Sequence, residues 1–262
     1  MRVATWNLKA VAPRAPLPVR KQWLLDRVEP DIAVLTEADK RAAAEWSDIN
    51  VTGHAAGLSK TQHFSTLIVA PGCSIEPLTA VGKRRRMRQL DEWWPGTFAA
   101  VDAFRDGDYW ATVAGIYGII RADGGAHLEG GWESIPRLMD DVEAIIDSGR
   151  DRLIVAGDLN ILPVDLPNDF RDLGLTNLTD HTAADRAPLA GCTGCNLGAA
   201  RCGHFWTHKN GKKDGNGVPQ QIDHIFASKK MVRDFVSIDG GIGSYPDSLD
   251  VSDHAPLVAD FR

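Results

Sequence analysis

The sequence predicts an α/β fold, and three observations lead to that prediction. With 262 residues, of which 44% are hydrophobic, the chain can bury a substantial core, in one large domain as readily as in two small ones. Apolar runs of strand length alternate loosely with stretches of helical periodicity. Several apolar runs end in a polar residue, which is typical of strands that lead into functional loops. No repeat or long linker marks a boundary, and we therefore expect a single domain over residues 1–262.

The first half of the chain contains most of the predicted strands. Residues 2–8 form the first strand candidate, and a helix follows over 19–28, where Trp23, Leu24 and Val28 recur at helical spacing and Pro30 prevents continuation. Residues 31–37 form a buried strand. The segments 66–70, 97–104 and 109–120 indicate an antiparallel run, with Gly107 in the turn between the last two.

The second half begins with the clearest helix, predicted over 134–148. Its apolar residues share one face, Ser134 can cap its first turn, and Gly149 can end it. Further strands are expected at 152–156, 222–228, 232–238 and 255–261.

Charge and composition exclude several classes of protein. The formal net charge of −6 argues against a uniformly basic DNA-coating protein, although a local basic patch can still contact phosphates. The first residues lack the apolar core of a signal peptide, and no run approaches the roughly 20 apolar residues that span a bilayer. We therefore expect a cytoplasmic protein without a membrane span.

Polar side chains gather where the apolar runs end. Each one taken alone is typical of a turn or a helix cap, and a single His is usually a surface or core residue. Together they suggest a shared site, because carboxylates that meet at one edge repel each other unless a cation neutralises them. Oxygen ligands suit Mg²⁺ or Mn²⁺. The residues in question are Asn7, Glu37, Asp158, Asn160, Asp223, Asp253 and His254.

Six short motifs in this order resemble the endonuclease/exonuclease/phosphatase superfamily along the whole chain. They are TWNL at 5–8, LTEAD at 35–39, GIYG at 115–118, GDLN at 157–160, IDHIFAS at 222–228 and SDHAPLV at 252–258. The resemblance implies a DNase I-like fold, which is a four-layer α/β sandwich of two mixed β-sheets flanked by helices. It also implies a metal-dependent phosphoesterase.

The resemblance assigns a role to each matching residue. Glu37 would bind the divalent metal, with Asn7 and Asp253 around the same site. His254 would contact the scissile phosphate and pair with Asp223.

In the same way, Asp158 would orient or deprotonate the attacking water, and Asn160 would hold that water or the phosphate. Tyr117 falls where a Tyr or His of the family meets the phosphate, although a strand aromatic can also simply pack in a core. The residues after Asn7 are Leu8 and Lys9, whereas members that cut at abasic sites typically have Asp at the second of these positions. That difference argues against a role in abasic-site repair.

The basic run at 83–88, KRRRMR, is the first of two features that can select a substrate. Basic residues beside Trp93 and Trp94 can hold a phosphate backbone and stack on bases, which makes Arg84, Arg85 and Arg86 candidate substrate contacts. The alternative is a solvated charged loop next to core tryptophans.

The second feature is a Cys/His cluster in the irregular segment 179–220. Cys192, Cys195, Cys202 and His204 form a complete tetrahedral ligand set for structural Zn²⁺. Reduced free thiols and a disulfide are the alternatives, and His204 can instead face the catalytic rim together with His208.

These observations predict a Mg²⁺- or Mn²⁺-dependent phosphoesterase whose substrate is a phosphoester, most readily a nucleic acid cut by a nuclease or phosphodiesterase. A phosphatase of small molecules or lipid headgroups is the enzymatic alternative. A catalytically inactive binding scaffold is the other class, and the complete set of acids argues against it because a binding module does not need every one.

Overall fold

The computed structural model describes residues 1–9, 14–38, 40–53, 65–83, 86–90, 96–118, 134–183, 204–209 and 219–262. Within them, two six-stranded sheets are formed by segments drawn from both halves of the chain. The strands of the first sheet are β1 (Arg2–Asn7), β2 (Ile32–Ala38), β3 (Asn50–Gly53), β4 (Ser65–Ala70), β15 (Phe235–Gly240) and β16 (Leu257–Phe261). They lie in the order β15-β16-β1-β2-β4-β3.

The strands of the second sheet are β5 (Ser74–Pro77), β8 (Phe98–Arg105), β9 (Asp108–Tyr117), β10 (Leu153–Asp158), β11 (Leu175–Asn177) and β14 (Asp223–Ser228). They lie in the order β11-β14-β10-β9-β8-β5. Both sheets are mixed, because β1 runs parallel to β2 and β9 runs parallel to β10, whereas the other described pairs are antiparallel.

Two small hairpins and seven short or medium helices complete the described structure. The hairpins pair β6 (Ala80–Lys83) with β7 (Arg86–Gln89), and β12 (His208–Lys209) with β13 (Pro219–Gln220). The helices are α1 (Leu17–Arg27), α2 (Lys40–Glu45), α3 (Ile135–Asp147), α4 (Asp169–Asp172), α5 (Leu178–His181), α6 (Lys229–Asp234) and α7 (Gly241–Ser244), with 3-10 turns at Pro163–Asp165 and Pro246–Asp250.

Three apolar clusters show that these elements stack in four layers. The central cluster lies between the sheets and contains Val34 and Ile68 from the first sheet with Val113 and Ile154 from the second. A further cluster packs α1 against the outer face of the first sheet, and another packs α3 against the outer face of the second. The predicted four-layer α/β sandwich is therefore confirmed.

Helix α3 illustrates how the sequence pattern produces this packing. Leu138, Val142 and Ile145 recur at helical spacing and are all buried against the second sheet. Burial of side chains of this size contributes about 1.5–3 kcal/mol each. The helix ends before Gly149, whose φ of 95° suits glycine. The predicted cap was wrong, because Ser134 adopts a helical backbone conformation and its side chain makes no capping hydrogen bond.

The predicted strand at 232–238 was also wrong in its first part. Residues 229–234 form α6, and β15 begins only at Phe235. Met231 lies in this helix, and its apolar side chain is buried in the central cluster. The helix therefore buries this residue as well as the predicted strand would.

The strand register brings several strand ends to one edge, which we call the rim. Asn7 at the end of β1 pairs with Thr36 of β2, and Asp158 at the end of β10 pairs with both Tyr117 and Asp223. Neighbouring parallel strands end at the same edge of a sheet, and an antiparallel strand begins at that edge. The polar residues of both sheets therefore meet at the rim. No described helix is long and apolar enough to cross a membrane.

Candidate active site

Asn7 joins the two sheets at the rim. Its side-chain Nδ2 donates to Asp158 Oδ2 at 2.7 Å and to Glu37 Oε1 at 3.1 Å. Its Oδ1 accepts the backbone N–H of Lys9 at 2.7 Å, so the amide is held with its donor group toward the two acids. The fully buried Asn7 therefore fixes the relative position of carboxylates that belong to different sheets.

Glu37 is placed by an irregularity in β2. The pairing of β2 with β4 shifts between Leu35 and Ala38, and Glu37 has a φ of 46°. A bulge of this kind redirects a side chain at a sheet edge, and a left-handed backbone at a residue other than glycine is often found at functional sites. Glu37 is half-buried, and its Oε2 accepts no hydrogen bond from any described residue.

His254 and Asp223 form a buried ion pair across the rim. His254 Nδ1 lies 2.9 Å from Asp223 Oδ2, and His254 Nε2 lies 4.0 Å from Asp158 Oδ2. The His254 carbonyl oxygen accepts the indole N–H of Trp6 at 3.0 Å. The backbone N–H of Asp223 donates to Thr207 Oγ1 at 3.2 Å. Both partners are thus held by groups outside the pair.

The GDLN corner places Asp158 and Asn160 through tight backbone contacts. A Cβ on Gly157 would lie 1.8 Å from the Ile116 carbonyl oxygen of the neighbouring strand, so no other residue fits there. Asn160 has a φ of 53°, its N–H donates to Asp158 Oδ1 at 2.8 Å, and its Nδ2 donates to the Gly118 carbonyl at 2.8 Å. The abrupt end of the strand therefore orients the carboxylate toward Asn7 and His254.

Burial and charge shift the acid–base properties of these groups. Burial, together with the charge of Asp223, raises the pKa of Asp158 to about 8. Burial opposes charging of His254, but the carboxylate of Asp223 outweighs that effect and raises the His254 pKa to about 9. The imidazole is therefore cationic at neutral pH, and its Nδ1 donates to Asp223.

Tyr117 is buried, and its hydroxyl lies at the rim. The ring is buried at the end of β9, and its hydroxyl donates to Glu37 Oε1 at 3.2 Å. Burial, with a further contribution from the charge of Glu37, raises its pKa well above the ordinary value, so the hydroxyl keeps its proton.

Asp253 lies at the rim beside Lys9 and His208. The sequence assigned Lys9 no role in the site, and it indicated His208 only in the alternative interpretation of His204. Its Oδ2 accepts a hydrogen bond from the ammonium of Lys9 and lies 4.0 Å from His208 Nε2. The ring of His208 is 4.5 Å from that of His254. Burial and the charge of His254 lower the pKa of His208 to about 4, which leaves this imidazole neutral.

His224, next to Asp223 in the chain, is a further buried polar residue that faces away from the ion pair. Its Nε2 lies 2.9 Å from the Ile161 carbonyl oxygen, and its Nδ1 lies 3.4 Å from Asn177 Nδ2. Burial lowers its pKa to about 4. This neutral imidazole connects β14 to the segment that follows Asn160, so it supports the corner without facing the site.

Two places at the rim are candidates for a cation, a cluster of three side chains and the single residue Glu37. Asp158, Asp223 and His254 place one potential ligand atom each within 4.8 Å of one another. All three are buried, and the hydrogen bond between Asp223 and His254 already explains their proximity. Glu37 fits a hard divalent cation better, because it offers a partly exposed carboxylate oxygen without a described hydrogen-bond donor, and Mg²⁺ usually retains several waters.

Several predicted residues lie outside the described residues. These are Arg84, Arg85, Cys192, Cys195 and Cys202. Only the backbone of Arg86 is described, in β7. His204 is described and buried. The β6–β7 hairpin packs on the outer helical layer, where Arg88 Nη2 lies 3.3 Å from Asp141 Oδ1 of α3.

The model of the Endonuclease/Exonuclease/phosphatase family matches residues 4–254, which is nearly the whole chain. The chain belongs to this family. This match confirms two predictions, the family and an enzyme that hydrolyses phosphoester bonds. Dependence on a divalent metal is typical of this family.

Solved structures show the same family fold. A 3′ phosphatase NExo from Neisseria, bound to a product DNA hairpin, superposes with a TM-score of 0.65 at 18% identity and covers 100% of this chain and 99% of its own. An AP endonuclease from Archaeoglobus fulgidus gives 0.63 at 16% identity, with coverage of 100% and 99%. A humanized TDP2 from D. rerio gives 0.61 at 12% identity, with 100% and 98%. No curated protein matches the sequence.

Proposed function

We propose that this chain is a Mg²⁺- or Mn²⁺-dependent nuclease or phosphodiesterase. The observation that carries the proposal is the Asn7 amide, which joins Glu37 and Asp158 at the rim directly beside the buried His254–Asp223 pair. This arrangement holds three functional groups together. Glu37 is suited to bind a metal, Asp158 to activate water, and the cationic His254 to donate a hydrogen bond to phosphate.

The metal would be held by Glu37, with Asn7 beside it and Asp253 as the further ligand implied by the family resemblance. When bound, the cation would supply charge stabilisation for the phosphate oxygens during hydrolysis. The carboxylate oxygens of Glu37 and Asp253 suit Mg²⁺ or Mn²⁺ better than a soft metal.

Water activation would fall to Asp158 and Asn160. The carboxylate of Asp158 takes the proton of the attacking water as the new phosphorus–oxygen bond forms, and Asn160 orients that water or the phosphate. Burial and the charge of Asp223 raise the pKa of Asp158 to about 8, although the hydrogen bond from Asn7 and the positive charge of His254 act in the opposite direction. The ionised carboxylate that this step requires therefore becomes more populated as the pH approaches 8.

His254 would stabilise the phosphate. A protonated Nε2 can donate to a non-bridging oxygen as negative charge develops, while Asp223 keeps the ring in place through Nδ1. Tyr117, which stays protonated, would be a second donor at the same edge. The phosphorus–oxygen bond to the leaving group then breaks without a covalent enzyme intermediate.

A nucleic acid is the substrate class that the comparisons favour. The Neisseria structure contains a product DNA hairpin, and another structure of that protein is described as a 3′-5′ exonuclease. A basic run at Arg84, Arg85 and Arg86 would add contacts to a long phosphate backbone. A phosphatase of small molecules or lipid headgroups is the second candidate.

Three further features belong to the same proposal. Cys192, Cys195, Cys202 and His204 would bind a structural Zn²⁺ that orders their segment, with reduced thiols or a disulfide as the alternatives. The chain would act as one domain over residues 1–262. Its location would be the cytoplasm.

A substrate panel tests the proposed function. We expect hydrolysis of single- or double-stranded DNA or RNA in the presence of Mg²⁺ or Mn²⁺ and none in the presence of a chelator. Exclusive activity on small phosphomonoesters would favour the phosphatase, and no activity on any substrate would favour a binding scaffold.

The Glu37→Gln variant tests the metal assignment. We expect weaker Mg²⁺ binding and a loss of turnover of several orders of magnitude, with little loss of stability, because the carboxylate is partly exposed. Glu29→Gln is a matched control, since Glu29 is an exposed glutamate that also has a φ near 50°. Unchanged activity of Glu37→Gln at limiting Mg²⁺ would remove Glu37 from the metal site.

A further inference from the structure

The contact between Lys9 and Asp253 divides the rim into two halves of different charge. Lys9 and Asp253 are 244 residues apart in the chain, yet the Lys9 ammonium donates a hydrogen bond to Asp253 Oδ2. Only 27% of the Lys9 side chain and 10% of the Asp253 side chain are exposed. The pair therefore lies largely within the rim. Displacement of the ammonium would leave the carboxylate of Asp253 poorly solvated and without its positive partner.

The backbone at Lys9 directs its side chain to this position. Lys9 has a φ of 50°, and its N–H is bonded to Asn7 Oδ1. The preceding residue is fixed as well, because the Leu8 N–H donates to the Thr36 carbonyl at 2.9 Å. The chain thus turns sharply after β1 and carries the ammonium across the rim toward the segment that precedes β16.

The other half of the rim has no equivalent cation among the described residues. Glu37 accepts hydrogen bonds only from the neutral groups of Asn7 and Tyr117 there, and it makes no described ion pair. A divalent ion that approaches the rim therefore meets an unneutralised carboxylate at Glu37. At Asp253 it meets a carboxylate that already has a positive partner.

We infer that this site binds a single divalent cation, at Glu37, and that the Lys9 ammonium permanently occupies the place of a second cation at Asp253. The inference rests on the proposed metal-dependent function and refines it, because it removes Asp253 from the metal ligands. Lys9 becomes a positioning residue that neutralises Asp253 beside His254.

Removal of the ammonium should create a second metal site. Without Lys9, Asp253 would present a carboxylate with His208 Nε2 4.0 Å away, and a carboxylate with an imidazole suits Mn²⁺. The second ion would bind more weakly than the first, because it would have fewer protein ligands and would be repelled by His254.

Counting Mn²⁺ ions in the full-length protein tests the inference without relying on activity. Electron paramagnetic resonance of free Mn²⁺, together with calorimetry, should give close to one ion per chain for the wild type and close to two for Lys9→Ala and Lys9→Met. Lys9→Arg keeps the charge and should return the value to one. Lys21→Ala is the control, since Lys21 also pairs with an aspartate, Asp48, but lies in helix α1.

Asp253→Asn provides a second measurement that does not depend on building a new site. Loss of a true ligand typically weakens metal binding by at least about tenfold, whereas the inference predicts Mn²⁺ affinity close to that of the wild type. Thermal melting of each variant confirms that the ions are counted on folded protein.

The possible results separate the inference from the proposed function. Two ions in the wild type, one ion in both neutral Lys9 variants, or a tenfold loss of affinity in Asp253→Asn would overturn the inference. In each of these cases the proposed function would stand if Glu37→Gln still removes the tight ion. Absence of any Mn²⁺ binding by the wild type would overturn both.

Discussion

The Nδ1 atom of His254 lies 2.9 Å from Oδ2 of Asp223, and both side chains are buried at the edge shared by the two sheets. The second carboxylate oxygen of Asp223 is buried as well and has no hydrogen-bond partner among the described residues. A carboxylate this poorly solvated depends on the imidazolium for its stability, and the imidazolium depends on the carboxylate for its charge.

The first prediction is that Asp223→Asn will impair both catalysis and folding. We expect kcat to fall by about 10²–10⁴-fold, the range typical of a disabled acid–base or phosphate-binding group. We also expect a loss of roughly 3 kcal/mol of unfolding free energy, because the imidazole loses its buried partner. Turnover assays and urea unfolding at neutral pH provide the two measurements.

Asp48→Asn is the matched control for this substitution, since Asp48 is exposed and its pair with Lys21 is at the surface.

The affinity for Mn²⁺ should be retained in Asp223→Asn. A loss of metal affinity that matches the loss of activity would instead assign the cluster of Asp158, Asp223 and His254 as the metal site.

The second prediction is that the metal-free protein will lose stability as the pH rises from 6.5 to 9. The folded-state pKa of His254, about 9, exceeds its ordinary value of 6.5. Its contribution is therefore complete below pH 6.5 and is lost as the pH rises through 9, by an amount on the order of 3 kcal/mol.

Asp158 acts in the same direction within this pH range. Its folded-state pKa of about 8 lies above the ordinary 3.8, so the folded state favours the neutral carboxyl and loses that advantage as the pH rises toward 8. Below pH 6.5 the neutral His208 has the opposite effect on stability, because its pKa is depressed to about 4 and the protein loses stability as the pH falls toward that value.

Urea unfolding in chelator at pH 6.5, 8 and 9 checks the trend, and His254→Gln should make the dependence of stability on pH shallower. A stability that increases over this range would contradict the assignment.

The third prediction concerns the basic run. The β6–β7 hairpin packs on α3, on the outer helical layer, so its arginines should matter only for a substrate long enough to extend beyond the rim. Neutralising Arg84, Arg85 and Arg86 together should raise KM for long nucleic acid and reduce its salt dependence, while a small diester is unaffected.

A triple substitution in α6 controls for the change in net charge. Lys229, Lys230 and Arg233 follow β14, whose other end carries Asp223 at the rim, so they lie at the opposite end of that strand. Neutralising them should leave KM unchanged. An equal loss of activity on long and small substrates in the arginine variant would indicate a structural role for the run.

The fourth prediction concerns the Cys/His cluster. If Cys192, Cys195, Cys202 and His204 bind Zn²⁺, elemental analysis after dialysis should find close to one zinc per chain, because three thiolates bind zinc far more tightly than carboxylates do. Acidification should release the zinc, since the thiolates become protonated. Hydrolysis should still require Mg²⁺ or Mn²⁺. Protein without zinc whose three thiols react freely would show that these cysteines are simply reduced.

Much of the architecture was predictable because its signals are local. The helix α3 and the buried strands β1, β2, β9 and β10 follow from periodicity, which reflects whether a side chain points toward a core. The identity of the polar residues at the rim was predictable for a similar reason, since they directly follow or precede the buried strands in the sequence. Local signals failed at Ser134 and in the segment 232–238, where tertiary packing outweighed local propensity.

What the sequence by itself determined is therefore the set of strands, their burial and the identity of the polar groups at their ends. Only the tertiary structure decided which of those groups meet. Lys9 reaches Asp253 across 244 positions, and His208 emerges from the long irregular segment to lie beside His254. Lys9 had one signal, its position two residues after Asn7, and His208 was expected at the rim only as an alternative to the zinc site. The physical reason is that an ion pair depends on distance in space, which is set by strand order, register and the φ angles of single residues such as Glu37.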